Sequence, residues 1–274
     1  MAAINMSDEI TVMLRRLLVK LLKRKQSLLE NSTATKTITA AMKRQMSAQL
    51  ALSEKETVRV CKLHEYKTIA HSLALSFWDD PVSRYFLDTT DTTHWTKSQK
   101  WTLHLSIMEA VVYMHLLDGM VTTIGDGYGC VALWMPPGAN CDSISTTLRS
   151  GIWKLHFMMS KVGRERWFNY FMPELHHIKH DTLGDRDDNS WYLVYLGTRP
   201  EARRKGYARA VIEDVTTRAD REGQAVYLES SKAMNVPIYK KFGFEKRTRM
   251  EMPEADGNAV PLEIMVREPQ SKSI

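Results

Sequence analysis

The sequence predicts a mixed α/β (α+β) domain, a central sheet flanked by helices, behind a basic helical N-terminus. Three observations predict it. From about residue 56, short β-branched or alternating runs interleave with longer runs at helical spacing. The chain then closes in two consecutive strand patterns, 244–252 and 260–266. Its 274 residues, 43% hydrophobic and 26% charged, have ordinary globular composition, which excludes collagen, long low-complexity disorder and a small disulfide scaffold.

Residues 7–30 read as a basic amphipathic helix. Ser7, Asp8 and Glu9 supply a cap and an acidic first turn, and Ile10, Met13, Leu14, Leu17, Leu18, Leu21 and Leu22 recur at helical spacing. Arg15, Arg16, Lys20, Lys23 and Arg24 fall on the opposite face. Such a helix docks on the domain or a partner, lies on a membrane surface, or serves as a mitochondrial transit segment; Asp8 and Glu9 count against the last. Residues 31–55, rich in Ser, Thr and Ala, read as a linker. The expected organisation is an extension over 1–55, a folded domain over 56–268 and a short tail over 269–274.

Within the domain, residues 57–61 alternate like a strand. Residues 66–78 are helical and stop at Asp79-Asp80-Pro81, and 81–87 fit a second short helix. A longer helix over 101–117 is stopped by Asp118-Gly119. Strands over 121–124 and 127–135 make a hairpin around Gly125-Asp126-Gly127, closed by Pro136-Pro137-Gly138. Residues 142–180 read as largely helical. A strand over 191–196, a helix over 206–222 ended by Gly223, a strand over 225–228 and a short helix over 236–242 complete the pattern.

Charge is unevenly placed. Residues 1–50 carry nine Lys or Arg against three Asp or Glu, whereas the rest of the chain carries 29 of each. The net +6 therefore belongs to the N-terminus, and the domain does not read as a nucleic-acid binder. No apolar run approaches the ~20 residues that cross a bilayer. Three cysteines, Cys61, Cys130 and Cys141, without a CxxC pair, are expected as reduced thiols in a cytoplasmic protein.

The most informative stretch runs from Tyr192 to Ile212: a strand, a turn at Pro200, a basic segment with Gly206, then a helix. Backbone N–H groups from Arg203 to Ala208 gather at the helix start, where the dipole favours an anion. Arg203, Arg204 and Lys205 add positive charge, and Gly206 lets a ligand approach the backbone. The expected ligand carries phosphates. Residues alone leave open an ordinary strand–helix connection with a solvated basic turn.

The hexapeptide Arg203-Arg204-Lys205-Gly206-Tyr207-Ala208 resembles the acetyl-CoA motif of the GNAT N-acetyltransferases, Arg/Gln-x-x-Gly-x-Gly/Ala. Tyr227-Leu228-Glu229-Ser230-Ser231, then Asn235-Val-Pro-Ile-Tyr239 and Gly243-Phe244, follow in that superfamily's order. With Phe77-Trp78-Asp79-Asp80-Pro81 and Ala132 to Gly138, the chain looks most like the puromycin N-acetyltransferase branch. The resemblance covers about residues 56–268 and leaves out the first 50.

It implies a GNAT-type sheet and direct, acetyl-CoA-dependent acetylation of a primary amine, with a small xenobiotic or secondary-metabolite amine as acceptor. Leu196, Gly197 and Thr198 would face the pantetheine arm along a splayed strand. Arg203, Arg204, Lys205, Gly206, Tyr207 and Ala208 would hold the pyrophosphate, and Asn235 would contact the cofactor, a role compatible with capping the next helix. Tyr239 matches the general acid for the leaving thiolate, although its flanking Ile238 and Phe242 equally suit a packed aromatic. Glu229 would be the base, or else a structural carboxylate. A protein lysine or N-terminal acetyltransferase and a non-catalytic CoA-binding module are the alternatives.

No metal is expected: His176, His177 and His180 share a helix but lack a third ligand at suitable spacing. Trp153, Phe157, Met158, Met159, Trp167, Phe168, Tyr170 and Phe171 read mostly as core, with a part in walling the acceptor pocket if the chain is an acetyltransferase. The run Asp185 to Asp188 reads as a solvated loop.

Overall fold

The computed structural model describes residues 18–20, 57–254 and 257–270. Residues 18–20 are helical, and the rest of the expected 7–30 helix and the 31–55 linker lies outside the described residues. The strands are β1 (Arg59–Val60), β2 (Met120–Ile124), β3 (Cys130–Met135), β4 (Ser190–Thr198), β5 (Ala225–Ser230), β6 (Glu245–Pro253) and β7 (Ala259–Arg267). They form one sheet in the order β1-β2-β3-β4-β5-β7-β6. Only β4 and β5 are parallel, joined by a crossover helix as parallel neighbours require.

The sheet separates two cores. One face carries helices α1 (Tyr66–Phe77), α2 (Pro81–Leu87) and α3 (Lys97–Leu117). There Ile69, Leu73, Ile107 and Val112 pack with Val131, Leu133 and Tyr227 of the sheet. Thr96 starts α3 with a reciprocal capping box to Gln99, four residues before the expected Trp101. Past β3, residues 142–180 are largely helical, as expected, in several short pieces. These are α4 (Ile144–Ser150), α5 (Leu155–Met158), α6 (Lys161–Arg164), a π-helical stretch Glu165–Phe171 and α7 (Met172–Leu183). The breaks are local: Gly151 adopts φ 71°, and Ser160 caps a new start by accepting from the Gly163 N–H.

The opposite face is covered by α8 (Tyr207–Glu222) and α9 (Val236–Lys240). α8 buries Val211, Ile212, Val215, Thr216 and Ala219, one helical stripe, against Trp134, Trp191, Val226 and Leu228. Gly223 ends it at φ 68°, as the sequence predicts. The expected 57–61 strand shrinks to two residues, and β4 extends two residues beyond Leu196 to Thr198.

One irregularity positions the site. In the β3–β4 ladder Leu133 pairs with Tyr195 and Trp134 with Leu193, so Val194 is an extra, unpaired residue in β4. An inserted residue bends its strand and breaks the alternation of faces. Hence Val194 and Tyr195 both face the α1–α3 core, while Leu193 and Leu196 face α8. At the same point β4 leaves β5: the parallel pairing covers Ser190 to Leu193 and stops, although both strands continue.

Candidate functional site

The opening between β4 and β5 is built by that bulge. From Tyr195 to Thr198 the backbone of β4 is paired only with β3, and the bulged Val194 with neither neighbour, so the other edge of this stretch has no strand partner. Leu196, Gly197 and Thr198 all lie on this stretch. Gly197 is fixed by packing: a Cβ there would stand 2.7 Å from Leu73 Cδ2 and 3.1 Å from Phe77 Cε2. The missing side chain lets α1 lie against the open end of β4.

β4 leads through Pro200 into the basic turn. Arg204 and Gly206 both have positive φ, 66° and 79°. No backbone N–H from Arg204 to Arg209 finds a hydrogen-bond acceptor among the described residues, and Gly206 caps α8 without a side chain. Alternating hands in successive residues turn such N–H groups into a common concavity that suits an anion. The space above is open: a Cβ on Gly206 would meet nothing within 4 Å, and a cleft of about 240 Å³ borders Ile124, Lys205, Gly206, Tyr207 and Ala210. Ala208 stands in the first turn of α8. Tyr207 is held from below, its ring against the hairpin glycine Gly125, where a Cβ would come within 2.5 Å. Arg203 turns back, its Nε donating to Thr198 O at 3.4 Å, while its guanidinium charge stays in the turn beside Arg204 and Lys205. A diphosphate-bearing cofactor fits this turn.

Glu229 and Tyr239 flank the opening from β5 and α9. Burial pushes the Glu229 carboxyl up to about 7, against the downward pull of Tyr192, Tyr227 and the Lys179 charge. That pull is partial, because neither Glu229 Oε1 nor the Tyr227 hydroxyl has a hydrogen-bond partner, although both are shut from solvent. Tyr239 packs edge-on against Phe244, centroids 5.8 Å apart, and its hydroxyl bonds to no described residue. Burial first, and the nearby Asp80 after it, hold the phenol well above its ordinary value, so it stays protonated. Asn235 starts α9 in helical conformation with no side-chain cap bond, so of its two expected roles capping is not used.

Sequence reasoning missed Asp80 and Tyr195. Asp80 caps α2 through the Val82 N–H at 3.0 Å and accepts from Ser231 Oγ at 2.6 Å, tying the α1–α2 corner to the end of β5. The Asp-Pro pair signals the cap, but nothing local signals a partner 151 residues away. Tyr195 lies within the fields of both Asp80 and Glu229 and contacts Phe77 edge-on at 5.1 Å. Beside it a void the size of one water is lined by Phe86, His104, Met108 and Trp167, among others. Of the aromatic run, Trp167 and Phe171 are buried, as expected for core, whereas Trp153 and Phe157 are 44% and 75% exposed. His176, His177 and His180 stay on the exposed surface of α7, and Asp187 pairs with Lys179.

Comparison with known proteins places this arrangement. A family model described as the acetyltransferase (GNAT) domain matches residues 183–264, from the end of α7 into β7. An uncharacterized N-acetyltransferase of Schizosaccharomyces pombe is 43% identical over 209 residues, 76% of this chain and 82% of that protein. Among solved structures, one from Corynebacterium glutamicum, described as histone acetyltransferase HPA2 and related acetyltransferase, aligns over 80% of this chain and 99% of its own at 18% identity and TM-score 0.49. Arylalkylamine N-acetyltransferase 2 of Aedes aegypti aligns over 78% and 98% at 16% identity and TM-score 0.49.

Proposed function

Because the chain belongs to the GNAT family of N-acetyltransferases, which take acetyl-CoA as donor, we propose that it acetylates a small primary amine by direct transfer. The observation that carries the choice of acceptor is the closed aromatic surround of Tyr195. Phe77 packs on Tyr195, and Phe86, His104 and Trp167 line the water-sized void beside it, so an acceptor entering on this side would meet aromatic walls and would have to widen that void. A compact apolar or aromatic amine, of the xenobiotic or secondary-metabolite kind, suits such walls.

Acetyl-CoA supplies an activated acyl thioester, with a diphosphate that the amides of Arg204 to Ala208 and the charges of Arg204 and Lys205 would hold. The open edge of β4 from Val194 to Thr198 offers backbone donors and acceptors to the pantetheine arm, and a donor there polarises a carbonyl. An alkyl amine with a pKa near 10.4 is ~0.1% neutral at pH 7, so a proton must be removed before the nitrogen attacks. Glu229, raised to about 7 by burial and with Oε1 unbonded, would take it, directly or through a water that enters with the acceptor. Asp80 is less suited, since both its oxygens are engaged, one by the Val82 N–H and the other by Ser231. As the C–N bond forms and the C–S bond breaks, the Tyr239 phenol gives its proton to the departing sulfur.

Mass spectrometry of the protein with acetyl-CoA and a mixed panel of small amines, lysine peptides and free N-terminal peptides tests this. Acetylation confined to small amines is the expected result. Acetylation of peptides alone, or acetyl-CoA binding without transfer, would overturn it.

A further inference from the structure

Residues 143–164 invert the usual arrangement of a surface helix. Their inward positions are fixed: Leu155 is 1% and Met159 3% exposed, Thr146 is tied to Asp118, and Ser143 and Ser160 cap the two helix starts. Arg164 Nη1 donates to His156 O at 3.1 Å across the α5–α6 corner. The outward positions are apolar. Ile144 is 79% exposed, Leu148 63%, and Met158 37%, alongside Trp153 and Phe157. Of nine large hydrophobic residues exposed within 57–270, these five fall in fifteen consecutive positions.

Charge accompanies them. Residues 143–164 contain Arg149, Lys154, Lys161 and Arg164 and not one Asp or Glu, although acids and bases balance over residues 51–274 as a whole. None of the four takes part in an ion pair among the described residues. The Lys154 ammonium lies over the Trp153 ring at 5.7 Å, and Trp153 meets Phe157 edge-on at 6.3 Å.

We infer that this segment is a docking surface for an anionic phospholipid membrane. Aromatic and aliphatic tips between unpaired cations suit the headgroup boundary, where rings and chains leave water while ammonium and guanidinium groups stay among phosphates. A soluble partner would need an acidic rim to match the cations and shape complementarity to match the tips; a bilayer needs neither. α4 and α5 contact α3, held there by the Thr146–Asp118 bond and by the buried Leu155. The surface is made of residues other than those of the expected 7–30 helix.

Co-sedimentation of the full chain with phosphatidylcholine vesicles, with and without phosphatidylserine, tests it. The wild type should bind only the phosphatidylserine vesicles, and added salt should weaken binding. The double variant Leu148→Ser/Phe157→Ser should lower the partition coefficient at least about tenfold, with its melting temperature unchanged since both side chains are exposed. Lys154→Glu/Lys161→Glu should lower it comparably, and Trp153→Phe should remove a blue shift in tryptophan emission on vesicle addition. No vesicle binding, equal binding with and without phosphatidylserine, or binding that both double variants leave intact would overturn the proposal; the last would assign attachment to the basic N-terminus. Self-association in sedimentation velocity that Leu148→Ser/Phe157→Ser abolishes, without vesicle binding, would also overturn it in favour of a contact between copies.

Discussion

Replacing Glu229 by Gln perturbs one atom of the site and has a calculable consequence. The Glu229 carboxyl is held near 7 by burial, against an ordinary value of 4.5. A carboxyl raised on folding prefers its proton in the native state. Its contribution to stability is therefore fully present below the unfolded value and is lost as pH rises through about 7. Each unit corresponds to about 1.4 kcal/mol, so above neutrality the ionised side chain costs about 3 kcal/mol. Glutamine is neutral throughout and avoids this cost. For a domain of this size the difference is on the order of 10 °C in Tm. Melting curves of wild type and Glu229→Gln should be close at about pH 5 and diverge by about pH 8.5, the variant being the more stable. The wild-type kcat/KM should rise through about pH 7, and the variant should lose that rise together with about 10²–10⁴-fold of turnover. Parallel melting curves across that range would mean that Glu229 titrates like a surface carboxyl, and the reasoning that makes it the base would fail.

Four further outcomes are expected. Tyr239→Phe should cut kcat by about 10²-fold or more while leaving acetyl-CoA affinity, read by calorimetry, within twofold or so. Arg204→Glu with Gly206→Val should weaken acetyl-CoA binding at least about tenfold, because it reverses a charge and forces a β-branched residue to φ 79°. Gly197→Ala should lower stability by about 1–3 kcal/mol in denaturant titration, since its Cβ would overlap Leu73 and Phe77 of α1. Asp80→Ala should cost a similar ~1–3 kcal/mol, removing the α2 cap and leaving Ser231 without its acceptor.

What was legible in the sequence followed local rules. The α8 stripe with Gly223, the Asp80-Pro81 start of α2 and the glycine hairpin at 125–127 each depend on neighbours within a few residues. The basic turn at 203–208 was legible for the same reason: its chemistry is backbone geometry next to a helix start. The Val194 bulge was not, because the run Trp191 to Leu196 is apolar on both faces and offers no alternation to break. With the bulge went the facing of Tyr195, and hence the aromatic side of the opening. The tie between Asp80 and Ser231 escaped notice because Ser231 lies 151 residues away, just past β5. Residues 142–180 are largely helical, as the sequence reads; it locates neither the breaks at Gly151 and Ser160 nor the outward facing of Ile144, Leu148, Trp153 and Phe157.

The central claim is that acetyl-CoA is gripped by backbone groups that the fold leaves without partners. Hydrogen–deuterium exchange read at single amides, with and without acetyl-CoA, tests it most directly. Exchange should slow at amides between Val194 and Thr198 and from Arg204 to Arg209, and stay unchanged at the buried amides of Val226 and Leu228. Saturating acetyl-CoA that leaves both stretches exchanging as before would contradict the account.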